Sequence, residues 1–128
     1  PSWTKDSHII FPRRLPDSKV PFEYQSDRID TDHFNRDFKP VLAKGSVEIC
    51  KLDINNGQIQ TLTQPCEGFW DFRASQSPDG ENIVFCRAKT GTMPAIWMMD
   101  TDGNNQRKLT DGFNNMGADQ PRWLPLQN

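Results

Sequence analysis

The densest group of side chains able to do chemistry lies in "DRIDTDHFNRD", where Asp27, Asp30, Asp32, His33 and Asp37 fall within a few residues of one another. Alternating carboxylates are the ligands Ca²⁺ prefers, and Asp with His suits a transition metal. The spacing lacks the central Gly and closing Glu of a calcium loop. A second histidine, His8, belongs to a different stretch of the chain. The residues therefore read as a solvated loop in which Asp and Arg pair locally, and no metal or other cofactor is expected. Asp30, Asp32 and His33, with Tyr24 from the same segment, stand as candidate contacts for a ligand or partner.

Catalysis has less support. The sequence contains no G-x-S-x-G elbow, no H-E-x-x-H and no phosphate-cradling glycine loop. His33 and Asp37 could orient one another, but no nucleophile is indicated beside them, so the chain is not expected to be an enzyme. Arg13 and Arg14 carry the planar donors that clamp carboxylates or phosphates, although exposed arginines often do nothing more than meet solvent. Cys50, Cys66 and Cys86 are odd in number and lack C-x-x-C spacing, which allows one bridge at most and leaves at least one thiol free within the chain. With 15 basic and 17 acidic residues, well mixed, the net charge is −2. No one-sided basic field exists for nucleic acid or an anionic membrane. No apolar run is long enough to cross a bilayer as a helix, and neither a signal peptide nor an initiator Met is present, which suits a processed or excerpted chain.

The elements that must position these residues are legible in the turns. Hydrophobic residues make up only 34% of the 128-residue chain, whereas Pro, Gly, Asn, Asp and Gln abound; short strands with many turns fit that balance. "EICKLDINNGQIQTLT" (Glu48 to Thr63) aligns without a gap on "AIWMMDTDGNNQRKLT" (Ala95 to Thr110), and the offset is 47 throughout. The same offset carries "ASQSP" (Ala74 to Pro78) onto "PRWLP" (Pro121 to Pro125), and "PSWTKDSHIIF" at the start has the same form. A period of this size belongs to propeller blades and solenoids. Each copy predicts four short strands. In the second copy Ser77-Pro78-Asp79-Gly80 turns the first strand into "NIVFCR", "AIWMMD" follows, and Asp102-Gly103 leads to "QRKLT". Asn56-Gly57 makes the corresponding hairpin in the first copy. The predicted class is all-β.

"SQSPDGENIVF", "IWMMDTDG" and "RKLT" together resemble the TolB-type, WD-like β-propeller repeat. "HIIFPRRLPD" and "DFRASQSPDGENIVFCRA" also resemble the opening blades of proteins related to the hydrazine synthase alpha subunit. The first resemblance implies two four-stranded antiparallel blades of a partial propeller. Blade 1 would span about 1–67 with a long insertion at about 12–45, blade 2 about 71–112, and a further blade would begin at 118–128. The insertion holds about 27 residues more than the second copy has at that place. In this arrangement Trp3, Trp97 and Trp123 are packing residues. Phe69 and Trp70, placed in the connection before a first strand, could line a central opening, so Trp70 joins the candidate ligand contacts.

The resemblance further implies a non-catalytic scaffold for protein interaction or ligand binding, in the bacterial periplasm or cell exterior. The alternative is the propeller portion of a redox protein whose haem domains lie outside this chain, since no C-x-x-C-H occurs here. A closed propeller needs about four to eight blades. The expected neighbours are therefore other blades, from a larger chain of which this is an excerpt (the favoured case) or from head-to-tail copies of it. Another protein is a further possible partner; no nucleic acid and no membrane insertion are expected.

Overall fold

A computed structural model describes residues 1–19, 44–90, 92–111, 117, 118 and 121–125. Eight strands and no helix occur among them: β1 (Ser2–Trp3), β2 (His8–Arg14), β3 (Val47–Asp53), β4 (Ile59–Thr61), β5 (Phe69–Gln76), β6 (Asn82–Lys89), β7 (Ala95–Asp100) and β8 (Arg107–Lys108). The all-β expectation holds. No helix of the described residues is long and apolar enough to cross a membrane.

Pairing is antiparallel from β1 through β4 and again from β5 through β8. One parallel bridge, Val47 to Trp70, links β3 to β5. The result is one open, mixed sheet made of two four-stranded meanders.

The 47-residue repeat is visible in the pairing of the third and fourth strands, although the turns between them differ: the Asp53 amide donates to Gln58 O and the Asp100 amide to Asn104 O. Cys50 faces Thr61 and Lys51 faces Gln60 in the first meander; Trp97 faces Lys108 and Met98 faces Arg107 in the second. The Ile49 amide donates to Thr63 Oγ1 at 2.9 Å, and the Ile96 amide to Thr110 Oγ1 at 3.0 Å. The turns after the first strands also match. Thr4 Oγ1 donates to Asp6 and accepts from the His8 amide; Ser77 Oγ donates to Asp79 and accepts from the Asn82 amide. These hydroxyls hold the Asp6 and Asp79 carboxyls below the usual carboxylate range. Gly80 takes the left-handed backbone (φ 83°) that the Pro-Asp-Gly turn predicts, and Ser7 adopts it in the first copy at φ 62°.

Thr63 is 1% exposed, whereas Thr110 is half-buried. Thr63→Val should therefore leave the Ile49 amide buried without its partner and cost about 1–3 kcal/mol. Thr110→Val should cost less than that, because water reaches the site. Paired urea unfolding curves check the order; equal losses would show that burial does not set the cost.

The core lies between the meanders. Ile10, Ile49 and Leu62 from the first pack against Ala74, Ile83, Phe85 and Met99 from the second, with Trp97 against the cluster. Strand alternation explains the selection: in β2 Ile10 faces the second meander while Ile9 and Phe11 point away, and in β6 Ile83 and Phe85 face the first. Polar bonds close the seam. Ser2 Oγ donates to Ala74 O at 2.8 Å, the Lys5 amide to Gln76 Oε1 at 2.7 Å, and Lys51 Nζ to Thr101 O at 3.2 Å. Gly103 sits so close that a Cβ there would lie 2.4 Å from Leu62 O.

Three details differ from the sequence expectations. Pro12, Arg13 and Arg14 are the last residues of β2 rather than part of the insertion; pairing with β3 continues to Arg14↔Val47. Phe69 and Trp70 begin β5 instead of preceding it, because they pair with Lys89 and Ala88. Trp3 is 66% exposed, since the seam lies on the other side of the first meander.

Candidate functional site

An open, mainly polar groove of about 470 Å³ runs along the seam. One wall comes from the end of β4 and the connection to β5, with Thr61, Gln64, Cys66 and Phe69; the other is Arg87 with the β7–β8 turn around Asn104 and Gln106. The first wall exists because Leu62 and Thr63 turn inward beyond β4, both buried. The second exists because Gly103, at φ 93°, lets its turn close onto Leu62.

Arg87 is the best-defined ionic group in this groove. Its Nε and Nη2 donate to the two oxygens of Asp71 at 2.7 and 2.9 Å, and Nη2 also reaches Gln106 Oε1 at 3.0 Å. The guanidinium lies 4.6 Å from the Trp97 ring centre and 5.2 Å from that of Phe85. Asp71 is fully buried, so the fork-to-fork pair is desolvated on the carboxylate side. Nη1 takes part in none of these bonds. Because the charge is already matched by Asp71, the arrangement offers hydrogen-bond donors more than net attraction for an anion.

Arg13 occupies the equivalent place in the first meander. Its Nε donates to Glu48 Oε1 at 2.8 Å and its Nη2 to Thr61 Oγ1 at 3.1 Å. The Glu48 hydrogen bond holds the Arg13 guanidinium above its ordinary pKa. Phe11-Pro12-Arg13 and Phe85-Cys86-Arg87 share their spacing, and that shared Phe-x-Arg was the available signal for Arg87. Asp71 carried no such signal, because its partner is set by cross-strand register.

Arg14 ends β2, exposed. Trp70 is 6% exposed and donates its indole N–H to Thr90 Oγ1 at 2.8 Å; this position braces the start of β5 and turns little of the ring to solvent. Tyr24, Asp30, Asp32 and His33 lie outside the described residues, as does most of the insertion. The insertion's ends are tied together by the Lys19–Lys44 bridge and by Ser18 Oγ, which donates to Ser46 O and accepts from its amide. No group of three or more His, Cys, Asp or Glu among the described residues is arranged to hold a metal ion. Cys50 and Cys86 are buried and Cys66 is exposed, with no disulfide among them; burial pushes the Cys50 thiol up.

No protein-family model matches the chain. It is similar to a TolB protein. Over 83 residues, 64% of its length, it is 30% identical to Tol-Pal system protein TolB 1 of Novosphingobium aromaticivorans, and it spans 17% of that relative. The match supports the TolB side of the resemblance and lends nothing to the hydrazine synthase side.

Proposed function

We propose that the chain is a pair of TolB-like β-propeller blades acting as a non-catalytic scaffold for protein interaction or ligand binding in the bacterial periplasm. The observation that carries this reading is the repeat itself: two meanders with the same register and the same threonine bonds, packed face to face. Their first strands lie side by side, as radial packing requires, with Ser2 of β1 bonded to Ala74 of β5.

The start of a third unit follows the same rule. The Ala118 amide donates to Pro94 O at 2.9 Å, one residue on from Gly117, the repeat mate of Trp70 in the Val47–Trp70 bridge. The Trp123 indole N–H donates to Ser75 O at 3.1 Å. Thus β5 is flanked on both sides by Pro-x-Trp segments.

The relative's name places it in the Tol-Pal system, and a protein of such a system is the proposed partner class. Arg13 and Arg14 at the exposed end of β2, with Tyr24, Asp30, Asp32 and His33 of the adjoining insertion, are the proposed contacts. Titration of the immobilised chain with purified Pal protein tests the reading. Saturable binding in the micromolar range, about −8 kcal/mol, is expected; a Kd weaker than about 1 mM would overturn the Tol-Pal assignment.

A further inference from the structure

Arg87 is held rigidly against the groove along the seam. The Asp71 carboxylate accepts from its Nε and Nη2, and Gln106 Oε1 accepts from Nη2 at 3.0 Å. Gln106 is itself fixed, since its Nε2 donates to Gly103 O at 3.1 Å. The guanidinium also rests against the Trp97 and Phe85 rings. Nη1 takes part in none of these bonds. A donor fixed from several sides, on a side chain only 13% exposed, is preorganised for a contact.

The charges around it select against ions. Asp71 matches Arg87, and Asp102 adds a carboxylate to the same lining, so an anion meets donors without net attraction. A cation would leave Nη1 with nothing to accept its bond. Gln64, Asn104 and Gln106 complete much of the polar lining, and their amides bring donors and acceptors together. Gln64 and Asn104 are exposed, and Phe69 stands in the first wall. A hydroxyl both donates and accepts, so a neutral molecule carrying several hydroxyls matches this mixture. The electron-rich face of Phe69 suits the C–H side of a sugar ring. The volume of about 470 Å³ falls within the range of about 300–1,000 Å³ that small-molecule sites occupy.

We propose that the groove binds a neutral saccharide, its ring against Phe69, one hydroxyl accepting from Arg87 Nη1 and others bonded to Gln64 and Asn104. Every lining residue falls between Thr61 and Gln106, so the site belongs to the internal seam. It goes beyond the Tol-Pal reading and does not depend on it.

Titration of the ¹⁵N-labelled chain with maltose and, separately, with N-acetylglucosamine tests this through the side-chain amide signals of Gln64, Asn104 and Gln106. For at least one sugar, shifts should saturate with a Kd of about 1 mM, as suits an open groove. Bound sugar should also slow alkylation of Cys66 by iodoacetamide, because Cys66 is exposed and lines the groove while Cys50 and Cys86 are fully buried. Gln64→Ala and Asn104→Ala alter exposed side chains, so the fold should survive, and each should weaken binding about five- to tenfold. Arg87→Lys keeps a charge opposite Asp71 but removes the fork, and should weaken binding at least as much. No saturable shift with either sugar up to about 100 mM would overturn the proposal, as would unchanged affinity in both amide variants. So would inorganic phosphate or a capped triglycine peptide shifting the same signals at lower concentrations than the sugars, which would make the groove an anion or a peptide site. Binding of purified Pal protein is a separate measurement, so failure of either reading leaves the other standing.

Discussion

Asp71→Ala should destabilise the fold by about 3–5 kcal/mol, because it leaves a largely buried guanidinium without its counter-charge. Asp71 is fully buried and the Arg87 side chain is 13% exposed, so little water is at hand to replace the carboxylate. Gln106 supplies one acceptor, and the faces of Trp97 and Phe85 supply weak attraction, which together fall short of a full negative charge. Urea unfolding should show a lower midpoint with an unchanged slope. The double variant Asp71→Leu with Arg87→Met should recover most of the loss, since a buried pair is worth little against apolar residues of similar volume. A loss under about 1 kcal/mol for Asp71→Ala would be typical of an exposed pair and would mean that the groove hydrates Arg87.

Phe85→Ala should cost about as much, 3–5 kcal/mol, for a different reason. Phe85 heads the largest fully buried side chains and belongs to the cluster filled from both meanders. Removing its ring opens a cavity at the seam, and strands on both sides resist collapsing into it. It also takes away the ring that faces Trp97 across the β6–β7 pair and lies under Arg87. Amide exchange should therefore speed up in β2 and β3 as well as in β6 and β7. Faster exchange confined to the second meander would show that the two halves are stable independently, contrary to one shared core.

How much of this was legible follows from the range of each interaction. Turns are local, so Ser77-Pro78-Asp79-Gly80, Asn56-Gly57 and Asp102-Gly103 announced themselves; Gly80, Gly57 and Gly103 all take positive φ. The spacing of "AIWMMD" and "NIVFCR" likewise located β7 and most of β6. Strand ends were less legible. Pro12 reads as a breaker, yet β2 runs through it, and Phe69-Trp70 reads as a connection, yet β5 starts there. In both cases the neighbouring strand supplies the pairing, and no local pattern reports the length of a neighbour.

The site was harder still. Arg13 was visible as an arginine, but Glu48, its partner, is 35 residues away. Arg87 and Asp71 meet only because β5 and β6 pair in one register, with a shift between Phe72 and Ser75 where Arg73 turns to φ 54°. Trp3 and Trp123 look alike in sequence, but one stands largely in solvent and the other bonds to Ser75.

The repeat and its offset are plain in the order of residue types, and the turns and the all-β class follow from patterns a few residues long. Which face of each meander is covered, where the groove opens and which charges are matched emerge only when the strands pack. Those outcomes depend on register and on packing between strands remote in the chain, and a linear pattern leaves both free.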